Sequence, residues 1–105
     1  MNEIVTTDIE LLEAYLDGDE QAFKILINRY TPLLYNFVAR LAGRESAPDI
    51  VQEIFIKVWK NIRKFDIEKA SFKTWVFTIA KNTATDFLRK KKDLHFSDLD
   101  IDDEL

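Results

Sequence analysis

The chain of 105 residues contains no cysteine, two glycines, two prolines and a single histidine. Without cysteine, the sequence has neither a disulfide framework nor a thiolate metal site. Sheets and barrels need many turn residues, so the shortage of glycine and proline favours a helical protein. No apolar run approaches the roughly 18 residues of a membrane-spanning helix, and the first ten residues lack the basic and apolar regions of a signal peptide. These absences predict a cytoplasmic protein with no membrane partner.

The same shortages leave few groups for catalysis. His95 lies in an acidic stretch, and no serine or lysine has a partner base in a fixed motif. Gly18 and Gly43 stand far apart, so the sequence has no glycine-rich phosphate loop. Residues 98–103 have the alternate aspartates that open a calcium loop, but the sixth position is not glycine. We therefore predict that the protein is not an enzyme, has no catalytic residues, and binds no metal or other cofactor.

The charges of the chain are strongly segregated. Residues 1–56 contain four basic and ten acidic residues, a net charge of −6. Residues 57–92 contain eleven basic and three acidic residues, a net charge of +8, and residues 93–105 have a net charge of −6. A basic middle on an otherwise acidic chain predicts one anionic partner that binds locally.

Apolar spacing divides the chain into about four to five amphipathic helices, which predicts a compact all-α bundle. The expected helices cover roughly residues 8–17, 19–42, 47–64 and 71–91. A chain of this length is one domain, which we place at residues 1–92. Residues 93–105 are acidic with scattered apolar positions, and we expect a mobile tail or the start of an interdomain linker there.

Particular residues mark the helix ends. Asp8 and Asp19 are placed to cap the first two helices, and the glycine after each of these helices can end it. Pro32 removes a backbone donor inside the second helix, so we expect either a kink or a restart with Thr31 as the cap. Ser46, followed by a proline and an aspartate, predicts an approximate capping box for the third helix.

The third helix has two different halves. One half is apolar and is predicted to pack inward, with tryptophan at its edge: Val51, Ile54, Phe55, Val58, Ile62 and Trp59. The other half is polar around one isoleucine: Asp49, Gln52, Glu53, Ile56, Lys60 and Arg63. An isoleucine ringed by polar groups is either a small binding hot spot with a polar rim or a scattered surface residue, which is common.

The stretch Phe65–Lys92 begins as a loop and continues as a helix that starts near Ser71 and ends in four basic residues. One helix face is predicted to join the core: Val76, Ile79, Ala80, Thr83, Ala84 and Phe87. The opposite face carries hydroxyls, amides and cations, with Trp75 at its border and Phe65 and Phe72 nearby. This pattern predicts a surface that stacks on a planar, anionic partner. The alternatives are a partly buried Trp75 and a solvated basic helix end.

Several short motifs follow one another along the chain: Gly18-Asp19, Ala22-Phe23, Tyr30, Asp49-Ile50-Val51-Gln52-Glu53-Ile54-Phe55, Val58-Trp59, Phe65, Phe72, Trp75, Ile79-Ala80 and Asn82-x-x-x-Asp86-x-x-Arg89. Over roughly residues 8–92, their order and spacing resemble region 2 of bacterial sigma factors, most closely the extracytoplasmic-function (ECF) group of the sigma-70 family. The resemblance implies a DNA-binding protein of transcription initiation. Such a protein binds the RNA polymerase core and recognises and melts the minus-10 element of promoters.

The resemblance also implies roles for individual residues. In the family, the Asp-x-x-Gln-Glu helix docks on the clamp helices of the largest polymerase subunit, and the residues implied here are Asp49, Gln52, Glu53, Ile56 and Lys60. The following loop and helix hold the non-template single strand of promoter DNA, and the implied border of its flipped-base pocket is Phe65, Phe72 and Trp75. The residues implied to face bases or phosphates are Asn82, Thr85, Asp86 and Arg89. Those implied to hold the backbone are Lys64, Lys69, Lys73, Lys81 and Lys90.

Two further expectations follow from the resemblance. Family members are commonly held by an anti-sigma protein that covers these same surfaces. They normally carry a second, helix-turn-helix domain for the minus-35 element, whereas this chain ends in what would be the acidic linker, so we expect a fragment or a shortened member. The rival interpretation is a helical protein–protein interaction module that uses the surfaces around Ile56 and Trp75 and does not bind DNA.

Overall fold

A computed structural model describes residues 6–98 of the chain, with side chains up to residue 92. The described part is all-helical and has no strand. Its helices are α1 (Asp8–Leu16), α2 (Glu20–Ala42), α3 (Ala47–Asn61) and α4 (Phe72–Asp98), with a 3₁₀ turn at Ile62–Lys64. The predicted all-α bundle is therefore confirmed. The helix expected over residues 47–64 consists of α3 and the 3₁₀ turn.

The first two helices begin with side-chain caps. The Thr7 hydroxyl accepts a hydrogen bond from the Glu10 backbone N at 3.1 Å, and the Glu10 carboxylate accepts one from the Thr7 N at 2.9 Å. This reciprocal capping box makes Thr7 the cap, so the prediction for Asp8 was wrong. Asp8 is instead the first helical residue and is free for a contact with α2. In α2, Asp19 accepts from the Gln21 N at 3.0 Å, as predicted.

The later helices begin differently from one another. Ser46 precedes α3 with helical backbone angles and makes no side-chain capping bond, so the capping box predicted there was wrong. Ser71 precedes α4, and its hydroxyl oxygen accepts from the Thr74 N at 3.1 Å. The predicted start of the last helix near Ser71 is therefore confirmed.

Helix α2 runs through Pro32 without a break. Of the two expectations at this proline, the restart is not found, because the Thr31 hydroxyl donates to the Ile27 carbonyl at 2.8 Å instead of capping a new helix. Tyr30 and Leu34 are buried on either side of the proline. Their packing holds both halves of the helix in place although Pro32 supplies no backbone donor.

Two glycines end α1 and α2 as predicted. Gly18 has φ of +112° and Gly43 has φ of +95°, values that side chains with a Cβ rarely adopt. A Cβ built at either position would meet no atom within 4 Å, so the backbone angle and not a lack of space requires glycine.

The core lies between α2, α3 and α4, and α1 packs on α2. Its largest fully buried side chains are Leu26, Leu34, Val38, Ile50, Ile54, Val58, Ile62 and Val76. Helix α4 adds mostly small buried residues, Ala80, Thr83 and Ala84. Leu33 and Leu41 of α2 lie outside this core and are nearly half exposed.

The last helix extends beyond its expected end near residue 91, since its backbone stays helical to Asp98. Residues 99–105 lie outside the described part, as do the side chains of the alternate aspartates in residues 98–103. The boundary between domain and tail at residue 92 stays a prediction. No helix within residues 6–98 has the length and apolar character needed to cross a bilayer.

Candidate nucleic-acid interface

The connection between α3 and α4 is a structured turn. The Asp66 carboxylate accepts from the Glu68 N at 2.9 Å, and the Asp66 carbonyl accepts from the Lys69 N at 3.0 Å. Such an aspartate turn fixes the backbone without help from the core. The turn positions Phe65 at its beginning and Ser71, the cap of α4, at its end.

Phe65, Phe72 and Trp75 form an aromatic cluster at this end of the molecule. The ring centroids of Phe65 and Trp75 are 5.3 Å apart, those of Phe65 and Phe72 are 5.6 Å apart, and those of Phe72 and Trp75 are 5.8 Å apart. All three distances lie within the range of favourable aromatic pairs. The three rings predicted to act together are therefore in mutual contact.

The members of the aromatic cluster differ in exposure. Phe72 is only 3% exposed and belongs to the core. Trp75 and Phe65 are partly exposed and also pack against core residues. The alternative of partial burial is thus correct for Trp75. Trp75 and Phe65 therefore present part of their rings to solvent, whereas Phe72 is almost fully covered and packs against both.

The aromatic cluster continues into the interior through further rings on α2 and α4. Phe72 contacts Tyr30 with centroids 5.7 Å apart, and Tyr30 contacts Phe77 at 6.5 Å. Phe77 then contacts Phe37 on α2 at 5.2 Å. Phe77 was not assigned to either face because it lies at the border of the α4 core face, opposite Trp75.

A polar contact ties the start of α1 to this interior chain. The buried Tyr30 hydroxyl donates a short hydrogen bond to the Asp8 carboxylate, which also pairs with Arg29 through Nη1 and Oδ1 at 2.8 Å. Burial first, and then the hydrogen bond to Asp8, raise the pKa of Tyr30 well above its ordinary value. The Tyr30 hydroxyl therefore keeps the proton that it donates to Asp8, and this bond holds α1 against α2, even at pH values above the ordinary tyrosine pKa of about 10.

An open cavity of about 490 Å³ adjoins the aromatic cluster. It lies between the beginning of α1, the turn and the beginning of α4, and its lining residues are Thr7, Asp8, Ile9, Ile67, Ser71, Phe72 and Lys73. Phe72 forms part of the wall and Lys73 supplies a cation, while Phe65 and Trp75 are not among the lining residues. The structure thus offers a recess with one acidic and one basic side chain, Asp8 and Lys73, beside the aromatic cluster.

The outer face of α4 carries the predicted base and phosphate contacts. Asn82, Thr85 and Arg89 are exposed, and Asp86 is partly buried. Arg89 Nη1 is 2.9 Å from Asp86 Oδ1, so these two groups are paired. All five lysines assigned to the backbone of the strand are exposed: Lys64, Lys69, Lys73, Lys81 and Lys90.

Helix α3 presents a second, separate surface. All five side chains predicted to face polymerase are exposed: Asp49, Gln52, Glu53, Ile56 and Lys60. Ile56 is 46% exposed, which confirms its predicted outward position. Trp59 is 55% exposed, more than the edge of an inward face would suggest.

Lys57 connects this surface to α4, a role that was not predicted. Its Nζ lies 3.6 Å from Glu53 Oε2 and donates to Thr83 Oγ1 at 3.1 Å. The spacing of four residues between Glu53 and Lys57 was a signal for the first contact. Within residues 6–92, no cluster of three carboxylate or imidazole groups could hold a metal ion.

Comparisons with known proteins agree with this geometry. The protein-family model described as Sigma-70 region 2 matches residues 26–93 of the chain. The ECF RNA polymerase sigma-E factor of Haemophilus influenzae is 42% identical over 82 residues, which cover 78% of this chain and 43% of that protein. The ECF RNA polymerase sigma factor SigW of Bacillus subtilis is 38% identical over 85 residues, which cover 80% of this chain and 45% of that protein.

A solved structure also matches. It is an NMR structure of an engineered region 2 of sigmaE in complex with GTAAAA, with a TM-score of 0.77 and 38% sequence identity. The match covers 88% of this chain and 95% of that one. The chain therefore spans less than half the length of the curated relatives named above but nearly all of the isolated region 2. On this evidence, the chain belongs to the Sigma-70 region 2 family.

Proposed function

We propose that this chain is the part of an ECF sigma factor that binds the RNA polymerase core and recognises and melts the minus-10 element of promoters. The observation that carries the proposal is the partly exposed Trp75, held by two further rings at the start of a helix with a cationic outer face. The likeness to a region 2 in complex with GTAAAA supports single-stranded DNA as the ligand. The role is one of binding, in the cytoplasm, and not of catalysis.

Promoter opening in this proposal rests on stacking. Extruding a base from the duplex costs a few kcal/mol, and stacking one base on an aromatic side chain stabilises by about 1–3 kcal/mol. One non-template base captured on Trp75 and Phe65 therefore offsets much of its own extrusion. The recess beside Phe72 contains the ammonium group of Lys73, which can pair with a phosphate of the neighbouring nucleotide.

The outer face of α4 then reads and holds the strand. Asn82 has an amide that can form two hydrogen bonds with a base edge, and Thr85 stands one turn further along the helix. Asp86 holds the guanidinium of Arg89 at 2.9 Å. Arg89 is thereby oriented for a phosphate or base, while the exposed lysines set affinity and register along the backbone.

The exposed face of α3 is the proposed polymerase surface. Ile56 supplies an apolar contact surrounded by the polar groups Asp49, Gln52, Glu53 and Lys60, the arrangement of a small hot spot with a polar rim. By family resemblance, its partner is the clamp helices of the largest polymerase subunit. We include an anti-sigma protein as a further partner, because the two accessible surfaces are what such a regulator would need to cover.

The DNA role is tested by binding a labelled minus-10 strand to the 105-residue chain. Single-stranded, duplex and mismatched-bubble DNA are compared, with and without polymerase core, across a salt series. We expect single-stranded and bubble DNA to bind more tightly than duplex, with affinity that falls as salt rises. No salt-dependent binding of single-stranded DNA, even with core present, would refute the DNA role and leave the protein-interaction module.

The polymerase role is tested by Glu53→Lys. Reversing one charge in the centre of the α3 surface is expected to weaken co-purification with polymerase core, because like charges across an interface repel. Glu13→Lys on α1 makes the same charge change at an exposed position of another helix and serves as the matched control. Equal recovery of core by both variants would remove α3 from the interface.

A further inference from the structure

Lys57 lies between two groups that belong to different surfaces of the protein. Its Nζ is 3.6 Å from the carboxylate of Glu53, one turn earlier on the exposed side of α3. The same Nζ donates a hydrogen bond at 3.1 Å to the hydroxyl of Thr83 on α4. One ammonium is thus shared between the proposed polymerase surface and the helix that carries the proposed DNA contacts.

The two groups that Lys57 contacts differ in exposure. Thr83 is 2% exposed, and its hydroxyl proton is directed to the Ile79 carbonyl at 2.7 Å, which leaves its lone pairs to accept from Lys57. Glu53 is more than half exposed, and its contact with Lys57 is the longer of the two. A partner can therefore remove Glu53 from Lys57 more easily than it can disturb Thr83.

We propose that Lys57 is a positioning residue that couples polymerase binding to single-strand binding, an inference that rests on the proposed function. In the free protein, Glu53 neutralises part of the charge of Lys57. When a basic group of the partner pairs with Glu53, Lys57 keeps its bond to Thr83 and loses its counter-charge. The freed positive charge then stands at the edge of α4, where a phosphate of the strand replaces Glu53. Asn82, which directly precedes Thr83 and is exposed, gains an anchor for the DNA backbone nearby.

The size of the effect follows from the exposure of the pair. An ion pair that is partly open to solvent contributes about 0.2–1 kcal/mol, so transferring Lys57 from Glu53 to a phosphate changes strand affinity by at most about fivefold. One additional phosphate contact on a single strand also steepens the dependence of log affinity on log salt by about 0.7. Because binding free energies are reciprocal, the strand must strengthen polymerase binding by the same factor.

The test measures affinity for a labelled single-stranded oligonucleotide with and without polymerase core, over a salt series, for the full chain. We expect Lys57→Met to reduce the gain in strand affinity that core produces by about two- to fivefold. The dependence of log affinity on log salt should become less steep only when core is present. Binding without core should be nearly unchanged. Lys57→Arg, which keeps the charge and can reach Thr83, restores the gain. Lys24→Met removes an exposed lysine on α2 and serves as the charge-matched control.

Thr83→Val provides a second route to the same measurement, because it removes the hydroxyl that anchors Lys57 and keeps the branched shape. Thr83→Val is expected to reduce the gain in strand affinity that core produces, as Lys57→Met does. If Lys57→Met lowers strand affinity equally with and without core, Lys57 is a simple phosphate contact. If the gain in affinity that core produces is unchanged, Lys57 takes no part in the coupling. Either result overturns this inference and leaves the proposed function standing. A wild-type chain that binds neither core nor DNA would refute the proposed function together with it.

Discussion

Trp75 is the residue on which the proposed function depends most, and Trp75→Ala tests its two roles separately. The substitution removes the ring contacts with Phe65 and Phe72, at 5.3 and 5.8 Å. Aromatic pairs of this kind contribute about 0.5–1.5 kcal/mol each. A fully buried tryptophan costs about 3–5 kcal/mol when truncated to alanine, and Trp75 is only partly buried. The sum of the two aromatic pairs and the reduced cost of truncating a partly buried tryptophan both give a loss of about 2 kcal/mol in the free energy of unfolding.

The same substitution removes the stacking surface for a base. Loss of about 1–3 kcal/mol of stacking weakens binding of a single strand by about 5- to 150-fold. Stability is measured by urea denaturation followed by circular dichroism, and affinity by fluorescence anisotropy of a labelled oligonucleotide at a temperature where the variant is folded. A destabilisation of about 2 kcal/mol leaves most of a typical domain's stability in place, so affinity can be measured on native protein.

Trp59→Ala is the matched control, since Trp59 is the other tryptophan and is 55% exposed on α3. It is expected to change stability by less than Trp75→Ala and to leave single-strand affinity unaltered. A Trp75 variant that loses stability but binds the strand as tightly as wild type would show that Trp75 is a core residue only. Equal loss of strand affinity in the two variants would show that the effect is not specific to the aromatic cluster.

Two further predictions concern stability. Tyr30→Phe removes the hydrogen bond to the Asp8 carboxylate and is expected to cost about 1.5–3 kcal/mol at neutral pH. Because the folded state raises the pKa of Tyr30, the wild type keeps this contribution below the ordinary tyrosine pKa of about 10 and loses it as pH rises further. Urea midpoints of wild type and variant should therefore converge above that pH, and a constant difference would contradict the assignment. Thr7→Ala breaks the capping box with Glu10 and is expected to cost about 1 kcal/mol, whereas Ser46→Ala, at a cap position without a side-chain bond, should be nearly neutral by the same measurement.

Local sequence signals predicted most of the fold because each has a short-range cause. The apolar period indicated every helix, Asp19 was recognised as a cap, Ser71 was recognised as the approximate start of the last helix, and the glycines marked the ends of α1 and α2. The error at Asp8 arose because two adjacent residues were chemically able to cap. Only the glutamate three positions after Thr7, which completes a capping box, distinguishes them.

The arrangement of the candidate site was less predictable because it depends on contacts between helices. A helical wheel indicates the direction of Trp75, but the burial of Phe72 depends on how the turn before α4 leads into the helix and on Tyr30 from α2. The contact of Lys57 with Thr83 joins residues that are 26 positions apart, and no periodicity within one helix reports it. The outward direction of most polar contact residues could be predicted from the sequence, whereas the contacts between residues of different helices could not.

The small buried residues of α4 have a consequence for how such a domain can diversify. Ala80, Thr83 and Ala84 let α4 lie close against the other helices with little side-chain volume between them. Larger side chains anchor α4 at its beginning, where Phe72 and Val76 are buried. Substitutions on the outer face, at Asn82 or Thr85, leave that packing untouched. The outer face of α4 can therefore vary one residue at a time without redesign of the bundle.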